Sequence, residues 1–312
     1  MARSPLSNRQ RFDPSVAFMS TFNLSLLLLA FRPVPGTLFS PSLPLNPAIP
    51  KAVASVPKIE TAARDRLNPV KQTVETTRQN VDRQVRSTYH LPPREFEGRT
   101  IHRVELPSQR RVIALTFDDG PWPDTVPILD ILRENEIRAT FFMVGSHLQS
   151  FPEIARQVVK EGHVLGNHTW NHQYYPVNDY IASQEIDNTA ASLNQQTGVY
   201  TRLFRPPGGN LTNGLANYAA RGNYAVVMWS INPEDTYGGS AASLADRVIS
   251  QAHPGGIVLL HDGGGNRAQT VAALPTIIAG LRDRGYEFVT VPEILAMELE
   301  EQQVPAKQPL TP

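Results

Sequence analysis

Short apolar runs recur along most of this chain, and amphipathic stretches separate them. Val112–Phe117, Ala139–Val144, Val164–Gly166, Arg202–Phe204, Tyr224–Trp229, Ile257–Leu260 and Phe288–Val289 read as buried strands. Segments near 123–135, 152–161, 179–196, 213–221, 241–252 and 268–284 carry apolar residues at helical spacing. Strand–helix alternation predicts an α/β domain with parallel strands and helices outside. Roughly seven such units predict a distorted (β/α) barrel of seven to eight units, smaller than the usual eight-fold barrel. The domain is expected to span residues 108–300, with a disordered tail over 301–312.

Upstream the pattern changes. Over residues 58–100 the chain is polar, and Val70, Val74, Val81 and Val85 form one apolar stripe. Pro69 interrupts it, and Leu91-Pro92-Pro93 ends it. This reads as a helical stalk, either self-associating as a short coiled coil or lying on the main domain. Residues 32–57 are rich in proline, which predicts an extended linker. Arg3, Arg9 and Arg11 precede an uncharged stretch from Val16 to Phe31. A basic segment before a short apolar run predicts a signal peptide or signal-anchor over residues 1–31, and so an exported protein at the cell envelope or outside the cell. Ser20, Thr21, Asn23 and Ser25 dilute the apolar run, so cleavage and membrane tethering both stay open.

Composition narrows the partners. Formal net charge over the 312 residues is zero, which gives no electrostatic basis for a nucleic-acid partner. There are no cysteines, which excludes disulfides and thiolate metal sites. At 41% hydrophobic residues the chain can build a full core.

Candidate chemistry falls after the expected strands. Asp118 and Asp119 follow the first, His168 the third, Arg205 the fourth, Asn232 and Asp235 the fifth and His261 the sixth. Parallel α/β barrels gather their active sites at the C-terminal ends of the strands. Adjacent Asp118 and Asp119 point opposite ways if extended, so one can bind a metal while its neighbour faces a substrate. His168 and His172 are four apart, close enough for both rings to reach one site, and the His-Glu-x-x-His pattern is absent. Two imidazoles and one carboxylate suit zinc or a similar borderline divalent metal, and leave a second carboxylate as a base. Arg205-Pro206-Pro207-Gly208-Gly209 is a turn whose backbone N–H groups can cradle an oxyanion, and His261 ends a buried strand where a general acid can sit.

Four segments, Thr116–Pro121, His168–His172, Arg205–Gly208 and Leu259–Asp262, occur in the order of the polysaccharide deacetylase family, the NodB-homology domain of carbohydrate esterase family 4, and the chain resembles it over residues 110–295. The resemblance implies a distorted barrel and a metal-dependent hydrolase that removes acetyl groups from sugars. By motif position, Asp119, His168 and His172 would bind the metal, most readily zinc, with cobalt or nickel next. Asp118 would be the base, Arg205 its orienting partner and His261 the acid. Gly208 would help bind the oxyanion through its N–H, and Leu260 would line the acetyl pocket. Pro207 and Asp235 would touch the substrate. The expected polymer contains N-acetylglucosamine, peptidoglycan first and chitin-like oligomers next. A hydrolase of a non-sugar amide, or a non-catalytic cell-wall binding module, are the alternatives. Two departures from the family stand out. It often has an aromatic residue where Gly208 stands, and the missing ring is expected to open the groove. Its Asp-x-x-Asp-Trp motif is here Asn232-Pro-Glu-Asp235-Thr236, which puts the tuning of the acid in question.

Overall fold

The sheet is built from strands that are buried on both faces, as β2 (Val112–Asp118), β3 (Thr140–Met143) and β4 (Val164–Asn167) show throughout their lengths. In the computed structural model, residues 57–88 and 90–303 are described. The expected signal or anchor and most of the proline-rich linker therefore lie outside the described residues. So do residues 304–312. The architecture below belongs to the unit that begins at Thr61.

The remaining strands are β1 (Thr100–Ile101), β5 (Leu203–Phe204), β6 (Ala225–Val227), β7 (Gly256–His261) and β8 (Glu287–Phe288). They form one parallel sheet in the order β1-β6-β5-β4-β3-β2-β7, with β8 on the start of β2 beside Val112 and Ile113. The sheet curls. Its closure differs from that of a regular barrel, because β1 and β7 are not paired as strands. The seam is a single parallel bridge, Ile231 to Val258, just beyond β6. Strand β1 was not expected. It lies at the end of the segment read as stalk and linker, and two residues are too few to show a period.

Helices α2 (Thr125–Glu134), α3 (Gly145–Ser150), α4 (Pro152–Lys160), α5 (Asp179–Thr197), α6 (Leu215–Arg221), α7 (Ala241–Gln251) and α8 (Ala268–Asp283) follow the strands in turn. Side chains on alternate strand positions sort into separate cores. Ile113, Leu115, Phe117, Phe141, Leu165, Val258 and Leu260 pack outward in a cluster with apolar residues of α2, α4, α7 and α8. Val112, Ala114, Phe142, Val164, Leu203, Ala225, Val227 and Ile257 pack inward, against Val291, Ile294 and Leu295 of α9 (Val291–Gln303). Helix α9 therefore supplies apolar side chains to the inner core, a role no motif announced. It also runs to Gln303, beyond the residue 300 boundary expected, and Glu301 accepts the backbone N–H of Ser108 at 2.9 Å.

The stalk forms helix α1 (Pro57–Thr88), and Pro69 lies inside it without ending it. Val70, Val74, Val81 and Val85 are all exposed, so this stripe does not dock on the domain. Among the described residues no helix is long and apolar enough to cross a membrane.

Two histidines tie the strand starts together. His90 Nδ1 accepts the Leu165 N–H at 2.9 Å, and His163 Nδ1 accepts the Ala139 N–H at 3.1 Å. Both must stay neutral to accept, and burial lowers each pKa from 6.5 to about 4. Between those values the unfolded chain binds more protons than the folded one. The neutral-histidine contribution is complete above pH 6.5 and is lost as pH falls through 4. The loss is on the order of 3 kcal/mol per group. His163→Gln is expected to flatten the pH dependence of the urea midpoint between pH 6.5 and 4. Parent and variant midpoints that fall in parallel would contradict this assignment.

Candidate metal centre and active site

Strand parity places the chemistry. Asp118 continues the inward set of β2 after Ala114 and Thr116, His168 that of β4, and Arg205 that of β5. His261 continues the inward set of β7 and lies in register with Asp118 across the β2–β7 pair. All converge at the C-terminal end of the sheet, as expected for a parallel barrel.

Asp119 ends the strand by taking a left-handed φ of +75°, which swings its carboxylate back toward the inner face. Its Oδ1 lies 3.1 Å from His172 Nε2 and 3.5 Å from His168 Nε2. The three ligand atoms fall within 4.8 Å of one another, and Asp119 Oδ1 is buried with no hydrogen-bond donor. His168 Nδ1–H donates to the Arg205 carbonyl at 2.7 Å, so the Nε2 lone pair faces Asp119. Burial by itself would raise the Asp119 pKa, but the imidazoles of His168 and His172 outweigh it and hold the carboxyl well below its ordinary range. An orphaned buried carboxylate oxygen between two imidazole nitrogens is what a divalent cation would satisfy. The donor set fits the metal expected from the sequence.

Asp118 is turned differently. Its Oδ1 accepts from Arg205 Nη1 at 2.8 Å, while Oδ2 faces His168 Nε2 at 3.7 Å. Arg205 is fully buried. It also donates to Thr116 Oγ1, to the Val227 carbonyl and to the Met228 carbonyl, and it lies 4.1 Å over the Phe142 ring. Burial lowers its pKa, against the pull of Asp118. On the other side, His261 Nδ1 bonds Asp235 Oδ1 at 2.7 Å, and the His261 N–H donates to Asp235 Oδ2 at 2.9 Å. Thr270 Oγ1 donates to the same Oδ2. Burial disfavours the His261 cation, yet Asp235 wins and raises its pKa.

Three expectations change here. Asp235 is buried with both carboxylate oxygens engaged, so it is the partner of His261 and not a substrate contact. This also answers the concern over Asn232, whose Oδ1 instead accepts the Glu234 N–H. Leu260 points into the outer core, because it alternates with His261, while Leu259 shares the inward parity of His261. The groove at Gly208 is not left open. Tyr174 stands where the missing ring was expected, and a Cβ on Gly208 would lie 2.8 Å from its Cε1. Gly208 itself is exposed, and Pro207 is buried behind it.

Sequence reasoning missed the residues that hold the ligands. Thr169 and His172 have φ of +67° and +56°, so the histidine loop is bent at two strained points. Glu185, buried on α5, accepts the N–H groups of Trp170 and Asn171 at 2.9 and 2.8 Å and the Asn171 side-chain amide at 3.1 Å. Its only signal was an acid among Ala182, Ile186, Thr189 and Leu193 on the buried face of that helix. His147 Nδ1–H donates to the Asp119 carbonyl at 2.7 Å, and Arg267 Nη2 lies 3.8 Å from Asp119 Oδ2. Asp262 accepts the Gly120 N–H and the Thr125 hydroxyl, and burial lifts its pKa to about 7.

The domain that carries this geometry is similar to known proteins. The polysaccharide deacetylase profile matches residues 105–227. A peptidoglycan-N-acetylglucosamine deacetylase of Bacillus cereus is 41% identical over 197 residues, covering 61% of this chain and 91% of that protein. The chain belongs to the polysaccharide deacetylase family. A chitooligosaccharide deacetylase of Azorhizobium caulinodans is similar to this deacetylase at 34% identity, over 58% of the chain and 92% of the relative. The crystal structure of the Bc1960 peptidoglycan N-acetylglucosamine deacetylase, in complex with 4-naphthalen-1-yl-N-oxidanyl-benzamide, superposes with a TM-score of 0.60 and 34% identity. It covers 64% of this chain and 94% of the solved one.

Glu185→Ala frees the histidine loop without touching a ligand atom. It is expected to weaken zinc binding by about 10- to 100-fold, measured by competition with a chelator. Unaltered affinity would show that the loop holds its shape without the glutamate.

Proposed function

We propose that this chain is a metal-dependent hydrolase that removes the acetyl group from N-acetylglucosamine units of peptidoglycan, at the cell envelope or outside the cell. The observation that carries the reading is the orphaned Asp119 oxygen between His168 and His172, beside a second carboxylate that makes no imidazole contact within hydrogen-bond distance. Peptidoglycan is favoured over chitin-like oligomers because several relatives are named for it, among them proteins of Bacillus cereus, Listeria monocytogenes and Bacillus subtilis. The chitooligosaccharide relative keeps the second polymer next.

Asp119, His168 and His172 would hold the cation, with zinc first and cobalt or nickel next. When bound it supplies Lewis-acid polarisation of the acetyl carbonyl and lowers the pKa of water. The protein's own groups do the rest. Arg205 occupies Asp118 Oδ1 and leaves Oδ2 toward the cluster, where it accepts the proton of the attacking water. The new C–O bond forms at the acetyl carbon, and negative charge gathers on the carbonyl oxygen. The exposed Gly208 backbone offers an N–H to that oxygen. The C–N bond then breaks, and the departing nitrogen takes a proton from His261 Nε2. Asp235 holds the opposite ring nitrogen, so the cation is favoured and Nε2 is the nitrogen left to act. Acetate and a free amine result. Leu259, on the same face as His261, is placed to meet the acetyl methyl.

Two measurements test this. Asp118→Asn is expected to cut acetate release from peptidoglycan by about 10²- to 10⁴-fold while zinc content stays at the parent level. Turnover that survives the substitution would remove Asp118 from the role of base. On a panel of peptidoglycan, chitin oligomers, acetylated xylan and small amides, acetate should come fastest from peptidoglycan and cease with chelator. Faster release from the small amides would move the assignment to a non-sugar substrate.

A further inference from the structure

The segment after the second imidazole, Gln173 to Val177, leads to Asn178, the N-cap of α5. Its Tyr174 does not enter any core cluster. The ring meets His172 edge-on, with centroids 4.7 Å apart and an interplanar angle of 89°. It also lies over Gly208, whose φ is +59° and which has no room for a side chain on that side. Across the same turn, a Cβ on Gly209 would lie 2.7 Å from Trp229 Cη2. The two glycines thus thread between two aromatic rings. Tyr174 nevertheless remains 54% exposed.

Core packing does not account for a large ring in this position. Its inner edge is held by His172 and by the Gly208 backbone, and its outer part faces solvent. Such a ring is pre-positioned, so a ligand loses little entropy in finding it. A pyranose has an apolar face of C–H groups and an equatorial rim of hydroxyls. A tyrosine ring offers a flat apolar face to match that of the sugar. The ring adjoins a proposed metal ligand and the proposed oxyanion donor, so a sugar lying on it is next to the scissile acetamide.

We propose that Tyr174 is a specificity-determining residue: its half-exposed ring, wedged against His172 and over Gly208, is the stacking platform for a sugar ring adjoining the acetyl-bearing unit. This rests on the reading of the cleft as a polysaccharide site. Gly208 and Tyr174 form one device, since a side chain at 208 would displace the ring. The platform gives the enzyme a preference for oligosaccharides over single sugars.

The test uses the full chain carrying Asp118→Asn, so that ligand persists, and calorimetric titration with the N-acetylglucosamine tetramer. Adding Tyr174→Ala or Tyr174→Leu is expected to weaken tetramer binding by about three- to tenfold, the scale of one aromatic contact. Tyr174→Phe should bind as the Tyr174 protein does, and elemental analysis should find the same zinc in all. Tyr200→Ala is the control, an exposed tyrosine at the opposite end of the sheet, before β5. Equal affinity of the Ala, Leu and Tyr174 forms would overturn the platform, as would a loss in Phe as large as that in Ala. Failure of the Tyr174 protein itself to bind the tetramer would instead sink the polysaccharide reading, and the platform with it.

Discussion

A strand shows alternate side chains to opposite faces, and most reactive groups of this protein follow that constraint, with Asp119 reaching the same face through its left-handed backbone. Thr116, Asp118, His168, Arg205, Leu259 and His261 all lie on the inward parity, continuing the positions that line the inner core lower down. A one-residue slip in any strand would send its reactive group into the helix layer. The tight outward packing of Phe117, Phe141 and Leu260 therefore does more than stabilise the fold. It sets the register that aims the site.

The inward face then has to accommodate charge. Arg205 is the largest fully buried side chain among the described residues, and it is compensated at each nitrogen by Asp118, Thr116 or a backbone carbonyl. Removing one partner of such a pair leaves an uncompensated buried charge, which costs more than the pair contributes. Asp119 has no equivalent donor on Oδ1. That unsatisfied atom, beside two imidazole nitrogens, is one a divalent cation would satisfy.

Three residues of the site carry strained backbone. Asp119, Thr169 and His172 all take left-handed backbone, which ordinary residues avoid. His147 holds the Asp119 carbonyl, Asn167 Oδ1 the Thr169 N–H, and Glu185 the next two N–H groups. Asp119 and Thr169 are thus held directly, and His172 follows the two residues that Glu185 fixes. The pre-organisation resides in these residues as much as in the ligands themselves.

The alternation of strands with outer helices and the polysaccharide deacetylase family were readable in the chain, because alternation and motif spacing are local properties. Helix α9 and strand β1 were not, since one has no motif and the other no length. The pairing of Asp235 with His261 depends on where one loop returns to the end of β7. The replacement of a ring missing at Gly208 by Tyr174 from another segment depends on two loops meeting in space. Leu259 against Leu260 is a middle case, decided by parity once the inward face is known. Sequence by itself determined which residues are candidates for the chemistry. Only the tertiary structure decided which residues hold them still, because a hydrogen bond or a ring contact between distant segments leaves no periodic trace in either.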